Sequence, residues 1–283
     1  MNKFMGFAAP AAILALGCVL ASPGTVSADP VAPVVSQCAL GASGTAQHRL
    51  VELTDPAGID SYGTARDRIA QLRELLVPSG DYRGTFVLAF DEILELTGPT
   101  LTAGIYDDPQ WASDLAVEVV RLYMANLHEY VTGGTPAPHW ADAFALTEQC
   151  ERSPGRVLTG AIVAHLVTDF PEALVTIGSG VENTADFYRF GEALVAAAPR
   201  IAEEFEAVYG TDLGPFFTGW FVGDLVGAEE TTTLMFQSAR TVAWVNNFGL
   251  QNPATRDATR VEMQLATAAA GKALDLLEAA GTI

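Results

Sequence analysis

Apolar residues recur along this chain at helical spacing. Ala65, Ile69, Leu72 and Leu76 fall at i, i+4, i+7 and i+11, with Ser61 placed to cap the run and Pro78 to stop it. Phe86, Phe90, Ile93 and Leu94 mark the face of a second helix, predicted to end at Gly98. Asp107-Asp108-Pro109 opens a third, a capping carboxylate followed by proline at the first position, which runs through Leu115, Val119 and Leu127 to Gly133-Gly134. A short helix is predicted from His139 to about Glu151, and Ser153-Pro154 starts the next. Further helices are expected over 183–198, 199–209 (closed by Gly210), 229–247 and 254–280. No alternating β-branched run with Asn-Gly or Asp-Gly turns interrupts this pattern. The fold class is therefore all-α: one multi-helix, bundle-like domain over 60–283, built around a central apolar helix at about 155–169. Residues 29–59, rich in Pro, Gly, Ala and Ser, are expected to form an irregular arm, and 210–227 has the weakest pattern.

The central segment carries the most chemistry. Arg156 to Pro171 is almost wholly apolar, yet it holds His165 and, four residues on, Asp169. A helix apolar on all sides belongs inside a domain, so an imidazole there needs a partner. In an α-helix these two side chains share one face, about 5–6 Å apart between Cβ atoms. A carboxylate beside an imidazole fixes its tautomer and raises its basicity, which makes His165 and Asp169 the candidate catalytic pair. Two plainer readings compete. Asp169-x-x-Glu172 fits a capping box for a helix starting near Phe170-Pro171, and His165 can bond a backbone carbonyl across the core. Phe170-Pro171 is expected to break or kink the helix, because a residue before proline avoids the right-handed helical region.

The N-terminal segment bears on compartment. Lys3, the apolar stretch Phe7 to Leu20 and Val26-Ser27-Ala28 together form a secretory signal pattern over 1–28, so export is expected. The alternative is a lipoprotein anchored at Cys18. Cleavage leaves 255 residues, two cysteines and 14 basic against 34 acidic residues, a charge of −20. Cys38 and Cys150 are then expected to pair in an oxidising compartment, closing a loop of about 110 residues worth roughly 4–5 kcal/mol in the chain-entropy view. So acidic a surface disfavours nucleic acid and anionic lipid. After signal removal the longest apolar run, Val157 to Thr168, is too short to span a bilayer.

Other motifs narrow the chemistry. His128 suits the end of the third helix, His139 follows Pro138 at a helix start where it can cap or lie exposed, and His48 lies in the arm. No HExxH or repeated ExxH pair supports a metal site, no GxSxG elbow supports a serine nucleophile, and Gly178-Ser179-Gly180 reads as a helix-ending turn. Neither substrate nor cofactor can be read from these residues. Arg240 and Trp244 share a helix face and form a candidate substrate-binding pair, the guanidinium stacking on the indole and meeting Asp169, Asp186 or Glu118. A structural ion pair between helices is the plainer account. Aromatic clusters at 216–221 and 187–190 can wall a pocket for an apolar ligand, or simply form core.

Several stretches occur together and in order: His139-Trp140-Ala-Asp-Ala-Phe144, Ala164-His165-Leu-Val-Thr-Asp169-Phe-Pro171-Glu-Ala-Leu174, Asp186-Phe187 and Ala239-Arg240-Thr-Val-Ala-Trp244. They resemble the bacterial helical family known as domain of unknown function 5995, over roughly residues 64 to 280. The resemblance implies an all-α fold and a site near His165 and Asp169, but no reaction. Its most specific motif is Asn-Ala-His-Ile-Asn-x-Asp-Leu-Pro, and here Val163 and Val167 stand at the two asparagine positions. Two functional expectations result. One is a small-molecule hydrolase or isomerase, with His165 as general acid or base, Asp169 orienting it and Arg240 steadying an anionic group. The other is a non-catalytic secreted protein holding a small apolar molecule in an interhelical pocket.

Overall fold

A computed structural model describes Cys38, residues 44–217 and residues 228–283. The expected signal segment 1–28, the lipidation alternative at Cys18 and the first part of the arm lie outside these residues, as do Trp220 and Phe221.

The described residues fold as helices joined by short turns. In chain order they are α1 (Gly44–Thr54), α2 (Tyr62–Leu76), α3 (Gly84–Thr102), α4 (Pro109–Thr132), α5 (Pro138–Thr147) and α6 (Pro154–Ala164). A turn of π-helix, His165–Asp169, leads directly into α7 (Phe170–Thr176). After it come α8 (Thr184–Tyr209), the single turn α9 (Gly214–Phe217), α10 (Ala228–Gln251) and α11 (Arg256–Ala279). Among the described residues there are no strands, so the all-α expectation holds.

Local signals set the helix starts. The Ser61 side chain accepts from the Thr64 N–H, Asp108 accepts from the Trp111 N–H at 3.0 Å, and Ser153 accepts from the Arg156 N–H at 3.0 Å. Each satisfies one of the free amides at a helix N-terminus. Gly133 and Gly210 end their helices in the left-handed conformation that glycine adopts without a Cβ penalty.

Four expectations need correction. The arm is not irregular throughout, since 44–54 is helical and packs on α2 and α4. The second helix runs through Gly98 and Pro99 to Thr102, with the Tyr62 ring lying against Gly98 and its hydroxyl donating to the Leu94 carbonyl. Residues 183–198 and 199–209 are one helix, which continues through Pro199 despite its missing N–H and the pressure of its ring on the Val195 carbonyl. Finally, Phe170-Pro171 does not end the central helix.

That central helix is a continuous rod, Pro154–Thr176, of 23 residues, long and apolar enough by length and composition to cross a membrane. In the fold it is the inner element. It is contacted by α3, α4, α5, α10 and α11, which is where an all-round apolar helix comes to rest. Val157, Leu158, Ala164, Phe170 and Leu174 are buried there. Cys38 and Cys150 form a disulfide with Cα atoms 5.2 Å apart. The Cys38 carbonyl also accepts from the Tyr82 N–H at 3.1 Å, so two bonds hold this residue to the helical body.

Candidate active site

The π turn is where sequence and packing meet. Pro171 has no N–H to give the Val167 carbonyl, and in an α-turn its ring would press on that carbonyl. The chain widens by one residue instead, and the Phe170 N–H bonds to the His165 carbonyl, an i→i+5 bond. The widening changes the azimuth of Asp169 relative to His165.

As a result, His165 and Asp169 do not bond to each other. His165 lies among the rings of Phe86, Phe90 and Phe170, at centroid distances of 5.4, 5.4 and 6.1 Å. Its Nδ1 is buried without a hydrogen-bond partner among the described residues. Burial holds the imidazole neutral and lowers its pKa to about 4, with Asp169 pulling it up and His139 pushing it further down. The expected direct tether is therefore corrected: the two residues share a neighbourhood and a field, not a bond.

Asp169 is held from α5. One carboxylate oxygen accepts from His139 Nε2 at 2.8 Å and the other from Trp140 Nε1 at 2.6 Å. The expected capping role is also replaced, since Asp169 makes no side-chain cap bond to α7. His139 and Trp140 are consecutive at the start of α5, so one helix turn presents two N–H groups to one carboxylate. Trp140 is fully buried and stacks on Phe144 at 5.1 Å, which fixes the indole. The Asp169 side chain is 5% exposed and that of His139 is 15% exposed, so the pair spans the boundary between core and solvent. An ionised carboxylate can only accept, so His139 Nε2 is the donor in this contact, and in the neutral imidazole Nδ1 is then the nitrogen with a lone pair. That Nδ1 has no hydrogen bond among the described residues.

His139 borders a cleft of about 750 Å³ between α5, α6 and α11, within the range of small-molecule sites. Its floor includes Gly160, Val163 and Thr168, and α11 adds Met263, Thr267 and Leu274. Two ion-pair groups clamp α11 along the rod. Arg156 Nε bonds Asp275 at 3.0 Å at one end, and Arg260 Nε pairs with Glu172 at 3.2 Å at the other.

The other expected site residues lie elsewhere. Arg240 is 1% exposed, inside the α8–α10 packing and outside the cleft lining. Its guanidinium donates to the Phe187 carbonyl at 2.6 Å and to Gln237 at 2.9 Å. It lies 4.3 Å from the Phe187 ring centroid and also over Phe170, so the expected indole stacking is corrected to phenyl stacking. Trp244 packs against Phe187 at 4.6 Å. The three carboxylates expected to meet Arg240 are engaged elsewhere: Asp186 by the Asp107 and Asp108 amides and Arg189, Glu118 by Arg121, and Asp169 as above. Burial lowers the Arg240 pKa to about 9.

Sequence reading missed His139 and Trp140 as partners of Asp169, and Arg156 as part of the cleft. The signal for Arg156 was legible, because a cation in the first turn of a helix opposes the helix dipole and asks for another reason to be there. No curated protein and no solved structure matches the chain. Over residues 64–279, most of its length, the chain matches the model of a family described as "Family of unknown function (DUF5995)", and it belongs to that family.

Proposed function

We propose that this protein is a small-molecule enzyme that uses the Asp169–His139 pair for general acid–base catalysis in the cleft between α5, α6 and α11. The observation that carries this reading is the 2.8 Å contact of His139 Nε2 with Asp169, which leaves Nδ1 unbonded among the described residues beside a cleft of about 750 Å³. This reading takes water as the nucleophile, activated by His139. In hydrolysis of an ester-type substrate, His139 Nδ1 takes a proton from water as the water oxygen bonds to the carbonyl carbon. When the bond to the leaving oxygen breaks, the same proton passes from His139 to that oxygen. Asp169 stabilises the imidazolium between the two steps. His165 does not take this part, since it faces rings rather than the cleft lining.

A second reading, a carrier without turnover, is favoured by the aliphatic wall of Val163, Met263 and Leu274. Val163 stands where the family motif has an amide, which removes one hydrogen-bonding group from the floor. The two readings part on one experiment. His139→Asn and His165→Phe are assayed against a panel of activated small esters, with thermal melts run alongside. Loss of turnover in the first variant only, with both still folded, supports catalysis. Equal turnover in wild type and His139→Asn would remove it. We also propose an extracytoplasmic location, supported by the 1–28 pattern and by the Cys38–Cys150 disulfide.

A further inference from the structure

We propose that the cleft takes an elongated molecule with a carboxylate at one end, the carboxylate bound by Arg156 and the rest of the chain lying along the rod toward His139. Arg156 has a side chain only 7% exposed, with Nε on Asp275 and Nη2 on the Gly271 carbonyl at 3.3 Å. Its third nitrogen, Nη1, is buried without a partner among the described residues. A guanidinium N–H left unpaired in a buried site is costly, and a native structure needs a reason for it. Nη1 lies over Gly160 on the cleft floor, and a Cβ at that position would come within 2.9 Å of it. The same Cβ would meet Leu146 Cδ1 at 2.9 Å, so glycine is what lets Nη1 lie against the floor at this point.

The surroundings select the charge. Lys272, next to Gly271 on the cleft wall, has no ion pair among the described residues, so this end carries unspent positive charge in a chain of net charge −19. Asp275 and Glu278 together offset the single charges of Arg156 and Arg152, so Lys272 is the one charge left over at this end and a monoanion balances it. A carboxylate also matches the planar N–H geometry of guanidinium.

The distance selects the length. His139 stands at the Thr168–Asp169 end of the floor and Nη1 at the Gly160 end. Thr168 lies eight residues on from Gly160 along the rod, a span of about 12 Å at about 1.5 Å per residue. Between them the walls are aliphatic, with Val163 and Met263, and the buried Thr267 hydroxyl is a second unpartnered group on the way. A ligand with an anionic head, an apolar middle and a reactive or polar group at the far end fits this order. The role of His139 at that far end rests on the proposed catalysis; binding of the carboxylate at Arg156 does not.

Isothermal titration of the full chain with straight-chain alkanoates of increasing length, and with the matching primary alcohols, tests this. The acids are expected to bind more tightly as they lengthen, and the alcohols roughly ten- to hundredfold more weakly, the worth of one charge-assisted hydrogen bond. Gly160→Ala, which fills the space at Nη1, and Arg156→Lys, which keeps the charge but not Nη1, should both shrink that gap. Helical circular dichroism shows that each variant is folded, and if one is not, the other and the wild-type gap decide. Equal affinity for acids and alcohols, a gap unmoved in both variants, or no binding of either series overturns the proposal. Should the acids bind as expected while His139→Asn keeps full ester turnover, the anion subsite stands and the catalytic reading falls.

Discussion

His139 and Asp169, thirty residues apart in sequence, meet at 2.8 Å because α5 lays its first turn against the π turn of the central rod. The carboxylate lies on the core side of that contact and the imidazole on the solvent side. Burial of the acid keeps its acceptors aimed, and partial exposure of the base gives it access to a bound molecule.

Removing the charge of Asp169 should therefore damage chemistry more than folding. In Asp169→Asn the amide no longer imposes one tautomer on His139. Turnover of any substrate found for the cleft is expected to fall by roughly a hundredfold or more. Steady-state kinetics on the purified variant, reported as kcat/KM, checks this, and an unchanged value would separate Asp169 from catalysis.

Deleting the whole carboxylate has a second consequence. Asp169→Ala leaves the buried Trp140 Nε1 without its acceptor. A buried donor so orphaned costs about 1–3 kcal/mol, to be read from urea denaturation against Asp169→Asn. A stability equal to that of the wild type would mean the indole finds another partner.

His165 makes stability depend on pH. Its folded pKa of about 4 lies below the ordinary 6.5, so below pH 6.5 the unfolded chain binds the proton that the folded one refuses. The effect favours unfolding as pH falls from 6.5 and levels off near pH 4, reaching about 3 kcal/mol on an order-of-magnitude basis. In His165→Phe, which suits the surrounding rings, melting temperature should fall less steeply over this window. Parallel acid limbs in the two proteins would place the titrating group elsewhere.

Gly191 is expected to be intolerant. A Cβ there would sit 1.6 Å from Arg240 Nη1, and Arg240 is enclosed and bonded to the Phe187 carbonyl. Gly191→Ala should cost at least about 3 kcal/mol by forcing the α8–α10 interface apart. Pairing it with Arg240→Met frees the space, so the double variant should recover part of the loss in chemical denaturation.

The disulfide gives a final check. Cys38→Ser together with Cys150→Ser, which opens a loop with a sequence separation of 112, should lower stability by roughly 4–5 kcal/mol, measured against oxidised wild type.

The sequence by itself determined the helices, their caps and the central place of the apolar rod, because these follow from local spacing and from the polarity of each face. Ser61, Asp108 and Ser153 were readable caps since each acts within three residues. It also singled out Asp169 and paired Cys38 with Cys150. It could not say which histidine Asp169 meets, because the i, i+4 rule assumes an α-turn and Pro171 sits beside a π turn. Nor could it place Arg240, whose carbonyl partner and one of whose ring partners come from a helix some fifty residues away. Only the tertiary structure brought α5, α6 and α11 around one cleft and left Arg156 Nη1 unbonded within it. Spacing along a helix tells which side chains share a face; which element covers that face is decided by packing among all the helices at once.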